Sequence, residues 1–278
     1  MNPHWVYSQN TRPPGRNSIH YLSTGIVWEK PILHPEESGS YPDEIKDSAA
    51  RRALYDYFEE NNTYVNLKTK LSESLGVNVR TYLLDSKVDN KYVLDLINKF
   101  NNDNMVDGII VQLPLPESLD KDKILNSICW YKDVDGISSI SVNRYLCNKE
   151  CLVSPLVRSV ISTMNYYNID INKKVFIKCD DVNTNILLNS LFKNKSLLAL
   201  ESDVIIIISD NIFDQEVKEN VIVIDGGYNK INGEVVGCVS KRIKSVSSMY
   251  TKEIGGINNL VIPYLLDNLY RIKNIKRV

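Results

Sequence analysis

Apolar residues fall into two alternating patterns from about Ser48 onward. Short, nearly continuous apolar runs predict strands, whereas segments whose apolar residues recur every three or four positions predict helices. The predicted strands are RALYDYF, VNVRTYLL, DGIIVQL, KKVFIK, SLLAL, DVIIIIS and VIVIDGG. The predicted helices are residues 63–75, YVLDLINKF, DKILNSI, LVRSVISTMNYY, NILLNSLF and NLVIPYLLDNLYRI. This alternation is typical of an α/β protein with a parallel sheet.

The predicted elements form two series that meet near Cys151, which indicates two α/β lobes with a cleft between them. Small substrates usually bind in such clefts. In the second series, Pro155 suits the first turn of its helix. Pro263 should kink the last helix or delay its start, because proline lacks the backbone donor of a helix interior.

The charges of the chain are nearly balanced, with 33 Lys and Arg against 34 Asp and Glu in 278 residues. A balanced charge gives no basic field, so we expect no nucleic-acid partner. No apolar run approaches the roughly 20 residues of a spanning helix, so we expect no membrane segment. The five cysteines include no CxxC pair and the three histidines lie near the N-terminus, so we expect reduced thiols and no metal site.

The first 28 residues contain no Asp or Glu but carry Arg12 and Arg16. This composition resembles a mitochondrial transit peptide, although Pro13 and Pro14 would interrupt the amphipathic helix that such a peptide forms. We therefore expect an irregular leader over residues 1–45 and a cytoplasmic protein, with a mitochondrial location as the alternative.

Polar residues at the ends of predicted elements are the candidates for chemistry. Tyr64 and Lys68 are four residues apart, so both lie on one face of the predicted helix, although such a pair is most often solvated. Gln112 closes a strand, and ligands bind at the carboxyl ends of strands in open α/β sheets. The alternative is an amide satisfied by neighbouring backbone. Asp133 and Asp135 lie in KDVDGI, where paired aspartates most often form turns.

In chain order, these motifs resemble one family of folate enzymes. Tyr64 and Lys68, VQLPLP with Gln112, KDVDG with Asp135, and a late GG turn are similar to the methylenetetrahydrofolate dehydrogenase/cyclohydrolase family. The similarity continues through DGISSISVNRYL, LVSPLVRSVI, VIVIDGGYNKINGEVVGCV and TKEIGGINNLVIPYLL, and it covers about residues 52–270. It implies a bifunctional enzyme that interconverts the methylene, methenyl and 10-formyl forms of tetrahydrofolate.

The resemblance also implies a role for each candidate residue. Lys68 is expected to be the central catalytic group, since an amine desolvated beside a phenol and an amide has a lowered pKa and can shuttle protons. Gln112 is expected to hold Lys68 or the folate, Tyr64 to pack against the folate ring, and Asp135 to accept hydrogen bonds from the pterin. The other expected substrate contacts are Val111, Leu113, Ile254, Gly255, Gly256, Ile257 and Asn258.

The resemblance implies a division of the chain and a fold. Residues 46–152 are expected to form a folate-binding catalytic domain, and residues 153–257 a Rossmann-like parallel-sheet domain for NADP or NAD. The closing helix, within residues 258–278, is expected to return to the first lobe. Family members are commonly homodimers joined through the second lobe, for which the run from 204 to 224 is the candidate interface.

The predicted dinucleotide site departs from the family pattern. A pyrophosphate needs glycines where the first strand turns into its helix, yet there is no glycine between Gly136 and Gly226. The corresponding run reads KCDDVNTNI, with carboxylates where phosphates would lie. The resemblance places the cofactor contacts at Lys178, Cys179, Asp180 and Tyr228. Cys238 stands where the family has an aspartate.

These departures favour the cyclohydrolase half of the implied activity over hydride transfer. The expected function is therefore that of a one-carbon folate enzyme with a divergent second lobe. The alternative is a folate-binding or partner-stabilising protein of the same family without catalytic activity.

Overall fold

The structure, a computed structural model, describes residues 17–24, 77–84, 88–227, 229–231, 234–252 and 256–272. The predicted strand at 52–58 and the predicted helix at 63–75 lie outside these residues. The predicted site residues outside them are Tyr64, Lys68, Tyr228, Ile254 and Gly255.

The first sheet contains three parallel strands, β1 (Asn17–Thr24), β2 (Val77–Leu84) and β3 (Gly108–Gln112), in the order β2-β1-β3. The predictions of β2 and β3 are confirmed. β1 lies in the predicted irregular leader, so that prediction is wrong for residues 17–24. Its pairing with both neighbours depends on residues far away in the chain, which local periodicity cannot indicate.

Three helices follow the strands of this first part: α1 (Asn90–Asn102), α2 (Lys121–Asn126) and α3 (Ser139–Leu146). Each begins after a residue whose side chain accepts a hydrogen bond from a backbone N–H of the first turn, namely Asp89, Asp120 and Ser138. Such N-caps satisfy donors that have no partner within the helix. α1 and α2 confirm the predicted helices, each extended or trimmed by one or two residues.

The second part of the chain contributes β4 (Val175–Cys179), β5 (Lys195–Ser196), β6 (Val204–Ile208), β7 (Ile222–Asp225), β8 (Asn229–Ile231), β9 (Glu234–Val236) and β10 (Met249–Tyr250). Five of them form a parallel sheet in the order β10-β7-β6-β4-β5, and β8 pairs antiparallel with β9. This parallel α/β sheet confirms the expected fold class.

The centre and the edge of the second sheet differ sharply in burial. β6 lies in the middle, and Val204 to Ile207 are fully buried, as its continuous apolar run predicts. The predicted strand SLLAL is wrong, since β5 ends at Ser196 and a 3-10 turn covers Ala199–Glu201. In that run only Ala199 is buried, and Leu197 is 95% exposed. Apolar content alone therefore misled the prediction.

Four helices cover the second sheet and close the chain: α4 (Pro155–Tyr166), α5 (Val182–Leu191), α6 (Lys241–Val246) and α7 (Asn258–Ile272). Pro155 opens α4 as predicted. α5 begins three residues earlier than predicted because Asp181 caps it. α7 begins at Asn258 and contains Pro263 in its interior, so this proline does not delay the start of the helix.

The closing helix returns to the first sheet, as expected. Leu265, Leu269 and Ile272 of α7 pack in one buried cluster with Ile110 of β3 and Val134. The approach of β3 requires glycine at position 108, because a Cβ there would lie 2.3 Å from the Val134 side chain and 3.1 Å from Leu269. α7 therefore fixes the position of β3 and of the loop that carries Val134.

Candidate active site

The KDVDG loop begins with a buried lysine that has a structural role. Lys132 is 1% exposed, and its Nζ donates hydrogen bonds of 2.8 Å to the carbonyl oxygens of Phe100, Asn101 and Asp103. These carbonyls stand at the end of α1, where a cation also interacts favourably with the helix dipole. Lys132 therefore anchors the loop to α1.

The next residue, Asp133, organises the turn. Its buried carboxylate accepts hydrogen bonds from Gly136 N at 3.0 Å, from Ser138 N at 3.0 Å and from Ser141 Oγ at 2.7 Å. Its backbone forms a parallel bridge with Ile109 of β3. Asp133 therefore fits the turn-forming alternative, and its oxygens are engaged within the loop.

Gly136 completes the turn in a conformation that other residues rarely adopt. Its φ is +59°, and an added Cβ would lie 2.7 Å from Leu152 O and 2.9 Å from Ser154 N. Val134 is fully buried, so Asp135 is the one partly exposed member of the motif. The fixed residues around Asp135 determine where its carboxylate lies.

Asp135 and Gln112 lie toward the same end of the first sheet. The bridge between Ile109 and Asp133 is parallel, so the chain passes Asp133 in the direction in which β3 runs from Ile109 to Gln112. Asp135 follows Asp133 by two residues and is therefore shifted toward the end of β3. Gln112 is half-buried and its Nε2 donates to Leu113 O at 2.9 Å. This contact matches the alternative of an amide satisfied by neighbouring backbone. The bond from Leu113 to Pro114 is cis.

Two of the predicted substrate contacts have side chains that are buried in the core. Val111 is 3% exposed and packs among the apolar residues under the first sheet. Ile257 is 1% exposed and packs in the core of the second sheet. Both side chains are enclosed by other apolar residues, so a contact from either residue to a substrate would come from its backbone. Leu113 remains half-buried at the end of β3.

The start of α7 lies at the carboxyl end of β7. Asn258 Nδ2 donates to Gly227 O at 3.5 Å, just after that strand. Gly256 is half-buried in a tight turn, since an added Cβ would lie 2.2 Å from Lys252 O. Gly256 and Asn258 are therefore at a strand end of the second sheet, and ligands bind at such strand ends in open α/β sheets.

Contacts join the two strand-end regions. Asn183 in the first turn of α5 donates from Nδ2 to Ile137 O at 2.8 Å and to Ser139 Oγ at 3.4 Å. Ile137 is two residues beyond Asp135, so α5 touches the loop that presents this carboxylate. Lys121 of α2 forms an ion pair of 3.0 Å with Asp181, the N-cap of α5.

The predicted cofactor loop is tightly bonded within the protein. Asp181 Oδ1 accepts from Thr184 N at 2.8 Å, and Asp180 Oδ2 accepts from Ser209 Oγ at 2.6 Å and Asp210 N at 3.1 Å. Burial alone would raise the pKa of the Asp181 carboxyl, but the hydrogen bonds from Thr184 and Lys121 lower it below its ordinary value. Both carboxylates are therefore held as anions at neutral pH.

The remaining cofactor positions offer little to a phosphate. Burial raises the pKa of the Cys179 thiol to about 12, so this group is a neutral thiol at neutral pH. Lys178 Nζ lies 6.0 Å from the centre of the Phe213 ring. The residues of this loop do not fit a dinucleotide pyrophosphate.

Several contributors to the site carried no usable sequence signal. Lys121, Asn183 and Ser209 are ordinary polar residues of a helix or loop, and only the three-dimensional contacts reveal their partners. Lys132 was visible within KDVDG, but nothing in the sequence indicated that it is buried.

Among the described residues, no cluster of three or more His, Cys, Asp or Glu is arranged to hold a metal ion. In the same part of the chain, no helix combines the length and apolar character needed to cross a membrane.

The fold is an α/β fold with a three-stranded and a five-stranded parallel sheet, and comparisons with known proteins identify the family. The model for the tetrahydrofolate dehydrogenase/cyclohydrolase catalytic domain matches residues 54–135, which include Lys68, Gln112 and Asp135. The bifunctional protein FolD of Clostridium novyi (strain NT) is 34% identical over 226 residues, covering 74% of this chain and 81% of the relative. This chain belongs to the tetrahydrofolate dehydrogenase/cyclohydrolase family.

Solved structures agree with this assignment. The crystal structure of FolD from Campylobacter jejuni has a TM-score of 0.72 at 27% identity, covering 93% of this chain and 89% of that one. A dehydrogenase/cyclohydrolase from Thermoplasma acidophilum has a TM-score of 0.70 at 21% identity, covering 94% and 91%, and shows the shared fold. The resemblance stated from the sequence motifs is confirmed.

Proposed function

We propose that this chain acts in one-carbon folate metabolism as a methylenetetrahydrofolate dehydrogenase/methenyltetrahydrofolate cyclohydrolase, with the cyclohydrolase half the better supported. The observation that carries the proposal is the KDVDG loop. Lys132, Asp133, Val134 and Gly136 are buried and hold the loop in place, and Asp135 is its partly exposed member. A loop fixed at four of five positions is suited to present one carboxylate precisely.

The cyclohydrolase step needs a base near the methenyl carbon. Water adds its oxygen to this carbon, which bridges N5 and N10 in the substrate cation, and a base takes a proton from the water. The carbon–N5 bond then breaks as N5 gains a proton, and the hydroxyl loses its proton to give the formyl group on N10. The net products are 10-formyltetrahydrofolate and one proton.

We assign the base to Lys68, on the family resemblance. A neutral amine accepts the proton from water and returns a proton to N5, so one group serves both transfers. Gln112 would hold the amine or the substrate in place, and Tyr64 would pack against the folate ring. Asp135 would accept hydrogen bonds from the pterin amino group and ring nitrogen. Leu113, Gly256 and Asn258, with Ile254 and Gly255, would line the pocket.

The dehydrogenase half requires NADP or NAD, which would accept a hydride from the methylene carbon. The loop at residues 178–181 does not fit the cofactor, for the reasons given above, so no step through it is assigned. A catalytically inactive paralogue is the alternative, and no contact among the described residues favours it.

The proposal is tested by measuring the hydrolysis of methenyltetrahydrofolate. Lys68→Ala should lower the rate at least about 100-fold, the usual contribution of a general base. Lys70→Ala is the matched control, because it removes the same charge two positions away on the predicted helix, and it should leave the rate near that of the parent. Equal rates for the parent and Lys68→Ala would remove Lys68 from catalysis, and rates no faster than the uncatalysed reaction would favour the inactive alternative.

We propose a homodimer as well. Within the candidate interface run from 204 to 224, Val204 to Ile207 of β6 are buried inside the sheet, whereas Ile212 is 47% exposed. A second exposed apolar group follows the edge strand β5, where Leu197, Leu198 and Leu200 are 95%, 58% and 51% exposed. Charged substitution at Leu197 and Leu198 should shift the sedimenting species from dimer to monomer. An unchanged dimer would place the interface elsewhere.

A further inference from the structure

In Rossmann-like lobes, the pyrophosphate of a dinucleotide binds at the N-terminus of the helix that follows the first strand. The free backbone N–H groups there attract an anion, and glycines let the backbone approach it. In this chain the equivalent position is the start of α5, directly after β4. The occupant of that position decides whether a dinucleotide can bind.

The start of α5 already holds an anion that belongs to the protein. The Asp181 carboxylate accepts from Thr184 N at 2.8 Å, so it takes a first-turn donor that a phosphate oxygen would use. Its other oxygen lies 3.0 Å from Lys121 Nζ. Lys121 is therefore paired with Asp181, and a phosphate that used the same partners would have to displace this carboxylate.

The neighbouring strand end is closed by a second carboxylate. Asp180 Oδ2 accepts from Ser209 Oγ and Asp210 N, which follow β6, and Asp180 N donates to Ile208 O at 3.1 Å. Two carboxylates thus line the loop, and both repel a pyrophosphate. The negative charge of Asp180 is stabilised first by the Ser209 hydroxyl, which lowers the pKa of its carboxyl.

The backbone offers no room for close approach. Every residue from Ile137 to Asp225 carries a Cβ, so the loop lacks the glycines that a pyrophosphate turn requires. The first turn of α5 also contacts the first part of the chain through Asn183 and Ile137, and through Asp181 and Lys121. The loop has become a contact between the strand ends of the two sheets.

We propose that this chain does not bind NADP or NAD at its second sheet, and that the Asp181 loop instead joins α5 to α2 and to the loop of Asp135. This inference rests on the proposed function and sharpens it: the enzyme hydrolyses methenyltetrahydrofolate without a dinucleotide and transfers no hydride. The second sheet then supports the folate site and carries no cofactor.

The test combines cofactor binding with hydrolysis on one preparation of the full chain. NADP and NAD are titrated by calorimetry and by thermal unfolding, with the Trypanosoma brucei enzyme, solved as a complex with NADP, as the positive control. We expect no binding heat and no rise in the melting temperature at about 1 mM of either cofactor, a concentration that would stabilise a micromolar site by several degrees. Hydrolysis should proceed at the same rate with and without them.

Each outcome separates the two proposals. Saturable binding of either cofactor below about 1 mM would overturn the inference, whether or not hydrolysis is seen. Absence of both hydrolysis and binding in a folded preparation would contradict the proposed function while supporting the inference. Asp181→Ser keeps a capping oxygen and removes the charge, and if it gains cofactor binding that the parent lacks, the carboxylate is the cause of exclusion.

Discussion

Lys121 Nζ of α2 lies 3.0 Å from the carboxylate of Asp181, which caps α5. This pair connects a helix of the first part of the chain to the strand end of the second sheet. It also gives the Asp181 carboxylate two partners, the cation and the Thr184 amide. The loop that contains Asp180 and Asp181 therefore has a structural role. Removing either Lys121 or the Asp181 carboxylate should lower the free energy of unfolding.

Asp181→Ala should lower the free energy of unfolding by about 1–2 kcal/mol, mostly because α5 loses its N-cap. Lys121→Met should cost less than about 1 kcal/mol, since the pair is partly exposed to solvent. Denaturant unfolding at neutral pH measures both. Lys123→Met, on an exposed position of the same helix, is the control and should have no effect.

The contribution of Asp181 should depend on pH. Its folded-state pKa is lowered, so its stabilisation is fully present above the ordinary pKa of 3.8 and disappears as the pH falls through the lower folded value. The difference in unfolding free energy between the parent and Asp181→Asn should therefore shrink toward acid pH. A difference that stays constant from neutral pH to below that range would show that the charge of Asp181 makes no contribution.

Substitution of the two aspartates of KDVDG should have different effects, one on the stability of the protein and the other on substrate binding. Asp133→Asn disturbs a buried carboxylate with three donors and should lower the free energy of unfolding by about 2 kcal/mol or more. Asp135→Asn should change stability by less than about 1 kcal/mol but raise KM for methenyltetrahydrofolate about tenfold or more. The comparison needs unfolding curves and steady-state kinetics. The opposite pattern would exchange the roles of the two residues.

Lys132→Met should be strongly destabilising, by about 3 kcal/mol or more, because one buried and two part-buried hydrogen bonds from a charged donor are lost. Lys99→Met is the matched control, since Lys99 lies exposed in the last turn of α1, the helix whose end Lys132 contacts. Thermal and denaturant unfolding distinguish the two variants. Equal stability of both would show that the buried amine does not cap α1.

The cysteines should differ in reactivity. Cys147 is exposed and should react first with a thiol reagent in the native protein. Burial raises the pKa of Cys179 to about 12, and burial together with the Asp225 carboxylate raises that of Cys238 to about 12. Few thiolates form, so both cysteines should react mainly after unfolding. Mass spectrometry of labelled peptides measures the order. Rapid labelling of Cys179 in the native protein would mean that the loop at residues 178–181 opens readily.

The sequence predicted the parts of the fold that depend on local pattern. DVIIIIS became β6 because a continuous apolar run suits a strand buried on both faces. SLLAL failed because its leucines are exposed, and local composition cannot reveal which apolar runs are covered. β1 was missed because its pairing depends on strands far along the chain.

Some features of the candidate site could be predicted from the sequence, and others needed the three-dimensional structure. Asp135 and Gln112 were identified from their places at a loop and a strand end, whereas the burial of Val111 and Ile257 needed the three-dimensional packing. The acidic character of residues 180–181 was visible in the sequence. Its partners, Lys121 and Ser209, are 60 and 29 positions away and could not be predicted from spacing.

Hydrolysis and hydride transfer can be compared on one preparation to decide whether the enzyme uses a dinucleotide. The protein is incubated with methylenetetrahydrofolate plus NADP or NAD, and separately with methenyltetrahydrofolate alone. We expect hydrolysis of the methenyl form and no reduction of either cofactor. Cofactor reduction at a rate comparable to hydrolysis would show that the protein binds and uses a dinucleotide.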